Sequence, residues 1–263
     1  MLPDFLLRLF FRRRWRGFET LLRLSGSKHI TVRNRYGALF ALDPHDYVDS
    51  VVLREGFYES EVFEALQNAF EPNAVFWDIG SCFGLHAITA ATLFPDLRVY
   101  AFEPNPRSQE RIQQNAALNR VSIELCPLGL DNRDGTGELY LPAAGNSGMA
   151  TLRPSSQAVF SRGERVAIAR AASLITSGGV AAPTVIKLDV EGGEEAVLRG
   201  FDDHLLSPNL RLIVLECSPR VLGSDGGDPV RELLTNAGFE LRPLVRNEET
   251  SHPLINIVAF RAN

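Results

Sequence analysis

The chain has 263 residues, of which 45% are hydrophobic and 22% charged, and this composition suits one large α/β domain with a substantial core. A formal net charge of −5 gives no general attraction to a phosphate backbone, so we expect no nucleic-acid partner. The cysteines, Cys82, Cys126 and Cys217, are too widely spaced for a disulfide framework or a metal knuckle, which favours a cytoplasmic protein.

Residues 2–16 combine a short apolar run with an arginine-rich segment. The run Leu2–Phe11 is shorter than the about 20 residues that a membrane span needs, and the arginines follow it, whereas a signal peptide has them first. Two interpretations stay open. We favour a helix packed on the domain, and the alternative is a helix resting on the inner face of an anionic membrane.

The next predicted elements form an N-terminal cap that, with the first segment, occupies residues 1–73. The pattern predicts a hairpin between His29 and Leu42, a short helix over Tyr47–Leu53, and a helix over Glu61–Phe70 with apolar residues at helical spacing. Residues 74–263 then form the main domain, and we expect both parts to make one compact unit.

From residue 74 onward, predicted strands alternate with predicted helices. The predicted strands are 74–78, 98–103, 121–126, 138–141, 184–189 and 210–215, with a final β pair at 240–245 and 255–261. The predicted helices are 85–94, 106–118, 171–176, 194–198 and 229–237. This alternation predicts a parallel sheet with helices on both faces, and ligands that bind beyond the carboxyl ends of its strands. Residues 142–164, rich in Pro, Gly, Ser and Asn, are predicted to form a long lid or binding loop.

The most informative stretch is the segment from Asp78 to Gly84, with the sequence DIGSCFG, at the end of the first core strand. Its glycines let a ligand approach the backbone closely. Glu103 ends the following strand, where a carboxylate accepts hydrogen bonds from the two hydroxyls of a ribose. We therefore predict an adenosine-containing cofactor. The alternative is a tight strand-to-helix turn with no ligand.

The turn also indicates which cofactor binds. It lacks the Gly-x-Gly-x-x-Gly pattern of a dinucleotide site, and Asp78 just before it would repel a pyrophosphate. S-adenosylmethionine carries a sulfonium and an ammonium group but no phosphate, so Asp78 is suited to its ammonium side. We predict S-adenosylmethionine, with a nicotinamide-dependent oxidoreductase as one alternative and a non-catalytic binding module as another.

A second charged cluster follows the strand at 184–189. Lys187, Asp189 and Glu191 share parity, so they point to one face while the strand persists. Charges at a sheet end are costly unless they pair or serve chemistry. We predict that Asp189 is the catalytic base, with Lys187 or Glu191 orienting it or the acceptor. A structural Lys187–Asp189 pair is the alternative, and Glu194 is interpreted as favouring a helix N-terminus.

Two further interpretations concern metal and histidine. Asp189, Glu191 and Glu216 offer oxygen ligands, but three carboxylates without a histidine are not specific for a cation, and we predict no metal. For His86 on the first core helix, a substrate-facing role and a structural role both stay open.

Taken together, the motifs resemble the FkbM family of methyltransferases. The matching strings are Tyr58-Glu59, DIGSCFG at 78–84, YAFEPNP at 100–106, Asn115-x-x-x-Asn119, Asn146-Ser147-Gly148, KLDVEGGE at 187–194 and IVLE at 213–216. The resemblance implies a class I, Rossmann-like fold: a seven-stranded sheet with its last strand antiparallel. It also implies O-methylation of a hydroxyl on a sugar, glycolipid, polysaccharide or secondary metabolite. Ser81-Cys82 replaces the usual Ala-Asn of the family's turn, which affects at most one side-chain hydrogen bond.

With the resemblance, the predicted cofactor site is more extensive. Its predicted residues are Glu59, Asp78, Gly80, Ser81, Gly84, Glu103, Asn105, Leu130, Asp131 and Asp189. In this fold, Leu130 would form part of the wall around the adenine ring and Asp131 would meet the adenine amino group. The alternative for Asp131 is a solvated turn residue.

Overall fold

The computed structural model describes residues 29–142, 146–154, 160, 163–223, 227–244 and 254–261. The predicted helix over residues 2–16 lies outside the described residues, as do parts of the predicted loop at 142–164, so membrane contact through residues 2–16 stays a prediction. None of the helices in the described ranges is both long enough and apolar enough to cross a membrane.

Strands and helices alternate along the described chain much as the sequence predicts. The strands are β1 (Ile30–Arg33), β2 (Leu39–Leu42), β3 (Val75–Ile79), β4 (Arg98–Phe102), β5 (Glu124–Cys126), β6 (Gly129–Leu130), β7 (Gly135–Leu139), β8 (Glu164–Ala169), β9 (Val185–Leu188), β10 (Leu212–Cys217), β11 (Glu240–Pro243) and β12 (Ile255–Phe260). The α-helices are α1 (Tyr47–Glu55), α2 (Ser60–Gln67), α3 (Leu85–Leu93), α4 (Pro106–Asn119), α5 (Ala171–Thr176), α6 (Glu194–Arg199) and α7 (Pro229–Asn236). Short 3₁₀ turns occupy Ser147–Met149, Asp202–Leu206 and Pro219–Leu222.

The main sheet has seven strands in the order β11-β12-β10-β9-β3-β4-β5. The pairs β10–β9, β9–β3, β3–β4 and β4–β5 are parallel, whereas β12 is antiparallel to both β10 and β11. The expected sheet with an antiparallel last strand is therefore confirmed. Its parallel strands align their carboxyl ends at one edge, where ligands bind in such sheets.

Both faces of this sheet are covered, which explains why its central strands β3 and β9 are mostly apolar, with Asp78 and Lys187 as their charged residues. Successive residues of a strand point to opposite faces. Phe76 on β3 packs in one hydrophobic cluster with Phe40 of the cap. Its neighbour Trp77 packs in a second cluster with Val197 of α6 and Leu234 of α7, and both β3 side chains are fully buried.

The N-terminal hairpin is held to the main domain by two asparagines of α4. The side-chain oxygen of Asn119 accepts from the backbone N–H of Leu39 at 2.7 Å, and that of Asn115 accepts from the N–H of Ala41 at 3.0 Å. These bonds pair polar groups on the outer edge of β2. The Asn-x-x-x-Asn spacing works because residues four apart lie on the same face of a helix.

One region differs from the sequence-based prediction. No strand is predicted over 164–169, yet β8 forms there and pairs with β6 and β7 in a separate three-stranded sheet. Only Val166 and Ile168 give it an inward apolar alternation, which is too short to distinguish it from a loop. The strand is stabilised by its neighbours rather than by its own pattern.

Candidate active site

A cavity lies beyond the carboxyl ends of β3, β4 and β9. The predicted site residues along its wall are Gly80, Glu103, Leu130, Asp131 and Asp189. They come from four separate segments of the chain: three follow strands of the parallel sheet, and the fourth is β6 with the residue after it. The other predicted site residues do not line the cavity.

The two glycines of the turn have different structural roles. Gly80 has φ +78°, and a Cβ there would overlap the carbonyl oxygen of Asp189, so only glycine lets the ends of β3 and β9 approach each other. Gly84, with φ +85°, starts α3, and a Cβ there would lie 2.7 Å from Ile88 Cδ1. Gly80 therefore shapes the cavity, and Gly84 allows the helix to pack.

Glu103 is buried at the end of β4 and is held by two backbone donors. Its Oε2 accepts from the N–H of Cys82 and its Oε1 from the N–H of Asn105, both at 2.8 Å. Burial raises the pKa of Glu103 to about 7, although both N–H bonds oppose this rise. Each carboxylate oxygen keeps capacity for another hydrogen bond, which suits the two hydroxyls of a ribose. The contact with Cys82 is through its backbone, so the altered turn sequence does not weaken it.

Asn105 supports this arrangement from outside the cavity. Its side chain caps α4 by accepting from the N–H of Arg107 at 3.1 Å, while its own N–H holds Glu103. Asparagine is favoured at this capping position. Asn105 therefore acts on the cavity through the carboxylate that it orients, and its part in cofactor binding stays a prediction.

Asp78 is completely buried beneath the turn. Its Oδ2 accepts from the Ser81 hydroxyl at 2.8 Å and from the N–H of Ala87 at 3.1 Å. Its Oδ1 lies 3.9 Å from Lys187 Nζ and has no hydrogen-bond partner among the described residues. Burial raises the pKa of Asp78, and the positive charge of Lys187 is the main influence against that rise. Ser81 is therefore a direct hydrogen-bond donor to Asp78.

Lys187 joins Asp78 to the second cluster. Its Nζ lies 3.0 Å from Asp189 Oδ2, and the lysine is buried while the Asp189 side chain keeps 25% of its exposure. Burial alone would lower the pKa of Lys187, but the charges of Asp189, Asp78 and Glu59 outweigh it and raise that pKa. Lys187 therefore stays cationic and orients Asp189 at the cavity wall. The ion pair between Lys187 and Asp189 is therefore present, Asp189 also lines the cavity, and its role as the catalytic base stays a prediction.

Glu191 lies beyond the strand, because β9 ends at Leu188 and Glu191 has φ +56°. The alternation of side chains along a strand therefore does not set the direction of the Glu191 side chain. One carboxylate oxygen each from Asp189, Glu191 and Glu216 nevertheless lie within 4.8 Å of one another. Burial, and then the charge of Asp189, raise the pKa of Glu191 to about 8. Crowded carboxylates of this kind hold a proton more strongly than isolated ones.

Glu194 stabilises the turn that carries these groups. It lies in the first turn of α6, and its Oε1 accepts from the backbone N–H of Val190 at 3.3 Å and of Gly192 at 3.1 Å. The predicted helix N-terminal position is confirmed. This contact organises the loop between β9 and α6 without reaching into the cavity wall.

Asp131 and Leu130 lie at the opposite end of the cavity. Both are buried, and each oxygen of the Asp131 carboxylate lies 2.9 Å from Arg153 Nη2. Asp131 is therefore not a solvated turn residue. Arg153 was not predicted, because it lies in the predicted loop at 142–164, where no local sequence pattern marks it.

On the side facing the cap, Asn256 of β12 donates to Glu59 Oε1 at 2.9 Å. Asn256 is buried and pairs in register with Glu216 on β10, so this link reaches the acidic cluster. His86 is buried with its ring edge-on to Phe57 at 5.4 Å, and burial followed by the charge of Lys187 lowers its pKa. His86 is thus neutral. Asn256 was not predicted, because 197 residues separate it from Glu59.

The strand order, with β12 reversed beside β10, is that of the class I methyltransferases that use S-adenosylmethionine, and the cavity lies at the edge where such sheets bind ligands. Residues 78–241 match the family model described as the methyltransferase FkbM domain, so the chain belongs to the FkbM family and is an S-adenosylmethionine-dependent methyltransferase. The predicted family and cofactor are confirmed. The nicotinamide-dependent and non-catalytic alternatives are set aside.

The chain is similar to three named relatives. The hexuronic acid methyltransferase AglP of Haloferax volcanii is 30% identical over 193 residues, which cover 73% of this chain and 74% of AglP. The AMB antimetabolite synthetase AmbE of Pseudomonas aeruginosa is 26% identical over 230 residues, covering 74% of this chain but 10% of AmbE. The 31-O-demethyl-FK506 methyltransferase FkbM of Streptomyces tacrolimicus is 25% identical over 173 residues, covering 55% of this chain and 65% of the relative.

Proposed function

We propose that the protein methylates a hydroxyl oxygen of a sugar, glycolipid, polysaccharide or secondary metabolite. The observation that carries this proposal is the Asp189 carboxylate at the cofactor cavity, 3.0 Å from a buried lysine. A hydroxyl acceptor must lose a proton, and Asp189 is placed to take it. The names of AglP and FkbM support a sugar or secondary-metabolite acceptor.

The described residues fit S-adenosylmethionine on the evidence of Glu103, whose two buried oxygens each keep hydrogen-bonding capacity. When bound, the cofactor supplies an electrophilic methyl group on a sulfonium. Glu103 would hold its ribose, Leu130 and Asp131 its adenine, and the backbone at Gly80 its centre. Asp78 would favour its ammonium group through the negative charge beneath the turn.

The chain's own contribution to the reaction is positioning and proton removal. A sugar hydroxyl is a weak acid, so its proton must leave as the new oxygen–carbon bond forms rather than beforehand. Asp189 accepts that proton, while Lys187 holds the carboxylate in place and compensates its charge before transfer. Glu191 orients the acceptor from the neighbouring position. Holding the reacting groups in line supplies much of the remaining rate enhancement.

The test is methyl transfer from labelled cofactor to a panel of acceptors: a uronic-acid glycan, neutral glycans and a hydroxylated macrolide. Labelled product is then treated with alkali, which cleaves a methyl ester but not a methyl ether. The proposal expects alkali-stable label in at least one acceptor and its loss in Asp189→Asn. Label that alkali releases, or label on nitrogen, would contradict O-methylation of a hydroxyl.

The same assay is run with and without a chelator. We propose that the reaction needs no metal, so the rate should be unchanged. A loss of activity that Mg²⁺ restores would instead assign the Asp189, Glu191 and Glu216 cluster to a cation, since hard cations bind carboxylate oxygens.

A further inference from the structure

Residues 146–154, which we term the strap, cross the cavity between β7 and β8. The backbone of Thr151 pairs with that of Tyr140, with N–H to oxygen distances of 2.8 and 3.0 Å. Four strap residues line the cavity: Gly148, Ala150, Leu152 and Arg153. The strap therefore forms a wall of the cofactor site, although the sequence shows only a loop composition there.

The position of the strap is fixed by the packing of Leu152 against the three-stranded sheet of β6, β7 and β8. A Cβ on Gly129 of β6 would lie 3.0 Å from Leu152 Cδ1, and one on Gly137 of β7 would lie 3.2 Å from Leu152 Cδ2. Side chains at these two positions would crowd Leu152. The two glycines thus leave room for the strap at this one place.

Two polar contacts extend from the strap to opposite ends of the cavity. At one end, Arg153 binds both oxygens of Asp131 at 2.9 Å. At the other end, the hydroxyl of Thr151 donates to the backbone carbonyl of Glu191 at 2.8 Å. Thr151 is buried, and its hydroxyl oxygen also accepts from the backbone N–H of Arg153 at 2.9 Å, so this one hydroxyl joins the strap to the Glu191 loop.

The Thr151 contact falls on a segment of backbone with positive φ angles. Glu191 has φ +56°, a left-handed conformation that is unfavourable for a residue with a side chain, and it directly precedes Gly192 with φ +96°. A conformation of this kind persists only when surrounding contacts impose it. Thr151 supplies one such contact, and it reaches Glu191 from a different part of the chain.

We propose that Thr151 and Arg153 are positioning residues, by which one strap sets both ends of the cofactor site. Thr151 fixes the Glu191 loop beside the methyl group, and Arg153 fixes Asp131 at the adenine end. This proposal rests on the proposed function, in which Asp189 and Glu191 face the methyl group.

The test uses two cofactor analogues, so it needs no acceptor. S-adenosylhomocysteine has no charge at the methyl position, whereas sinefungin carries an ammonium group there. Calorimetry should show that the parent protein binds sinefungin more tightly, because the ammonium pairs with the carboxylates of Asp189 and Glu191. The ratio of the two affinities then reports on the methyl end alone.

Thr151→Val removes the hydroxyl at nearly constant volume. It should lower the sinefungin preference about 5-fold, the effect of a weakened charge-assisted bond, while S-adenosylhomocysteine affinity stays within about twofold. Thr151→Ser should retain the parent ratio. Thr235→Val is the matched control, since the Thr235 hydroxyl donates to a backbone carbonyl, that of Arg231 at 2.9 Å, on α7. It should change neither affinity.

Arg153→Gln tests the other end and should weaken both ligands by the same factor, about 5- to 10-fold, with the ratio unchanged. A parent ratio retained in Thr151→Val, or lost equally in Thr151→Ser, would overturn the role of Thr151. A changed ratio or unweakened binding in Arg153→Gln would overturn the role of Arg153. If Thr151→Val does not fold, Thr151→Ala makes the same comparison. A parent protein without a sinefungin preference would instead count against the proposed function.

Discussion

The two sides of the cavity hold their carboxylates in different ways. On the cofactor side, Glu103 accepts hydrogen bonds from the backbone N–H groups of Cys82 and Asn105. On the acceptor side, Asp189 and Glu191 crowd against Glu216, with oxygens within 4.8 Å, and Lys187 is the cation paired with Asp189. Backbone donors hold the Glu103 carboxylate in place, whereas burial and the charge of Asp189 raise the pKa of Glu191. We propose that the first side is organised for binding and the second for proton transfer.

The largest expected effect separates these roles at Asp189. Asp189→Asn keeps the shape of the side chain but cannot take a proton, so methyl transfer should fall about 10²- to 10⁴-fold, the range for a positioned general base. Affinity for S-adenosylhomocysteine should change little, because its ribose contacts lie elsewhere. Single-turnover transfer at saturating cofactor measures the first quantity and calorimetry the second. Activity within a few-fold of the parent would mean that Asp189 is only the structural partner of Lys187.

The next effect concerns binding at Glu103. Glu103→Ala should weaken S-adenosylhomocysteine binding by about 1–3 kcal/mol, because it removes a charged acceptor from its hydrogen-bond partners. Glu124→Ala is a suitable control, since Glu124 is the first residue of the neighbouring strand β5 and forms an exposed ion pair with Arg98. Equal affinities of the two variants for S-adenosylhomocysteine, measured by calorimetry, would show that Glu103 does not bind the cofactor.

The pH dependence of binding gives a further test. The pKa of Glu103 in the ligand-free protein is raised to about 7, and ribose hydroxyls donate to the ionised carboxylate. Binding below pH 7 must therefore release a proton, so affinity should rise about tenfold per pH unit up to pH 7 and level off above it. Glu103→Gln should bind more weakly and lack this component. A parent profile that matches the Glu103→Gln profile would contradict the assignment.

The smallest effect is on stability and comes from the acceptor side. The pKa of Glu191 is raised from its ordinary 4.5 to about 8, so its contribution to stability is full below pH 4.5 and is lost as the pH rises through 8. Glu191→Gln should therefore unfold at a higher temperature than the parent at pH 8.5, by about 2–4 °C, which corresponds to about 1 kcal/mol. The difference should shrink at pH 5.

Glu195→Gln provides the control for this measurement, because Glu195 on α6 is exposed and paired with Arg199. Its unfolding temperature should differ little from that of the parent at either pH. An unchanged or lower unfolding temperature for Glu191→Gln at pH 8.5 would show that the acceptor-side carboxylates do not repel one another.

The contacts of Glu103 could be predicted from the sequence because they are local in the chain or link adjacent strands. The glycine turn and the carboxylate at the end of β4 are both written in short motifs. The acceptor side depends on contacts between distant residues: Thr151 reaches Glu191 across 40 positions and Asn256 reaches Glu59 across 197. Such contacts leave no periodic signal, and the sequence therefore predicts only a loop where the strap lies.

A crystal structure with S-adenosylhomocysteine would test the central claim most directly. We predict both ribose hydroxyls at hydrogen-bonding distance, about 3 Å, from the Glu103 oxygens, with the sulfur facing Asp189. A ribose bound away from Glu103, or a sulfur turned away from Asp189, would contradict it.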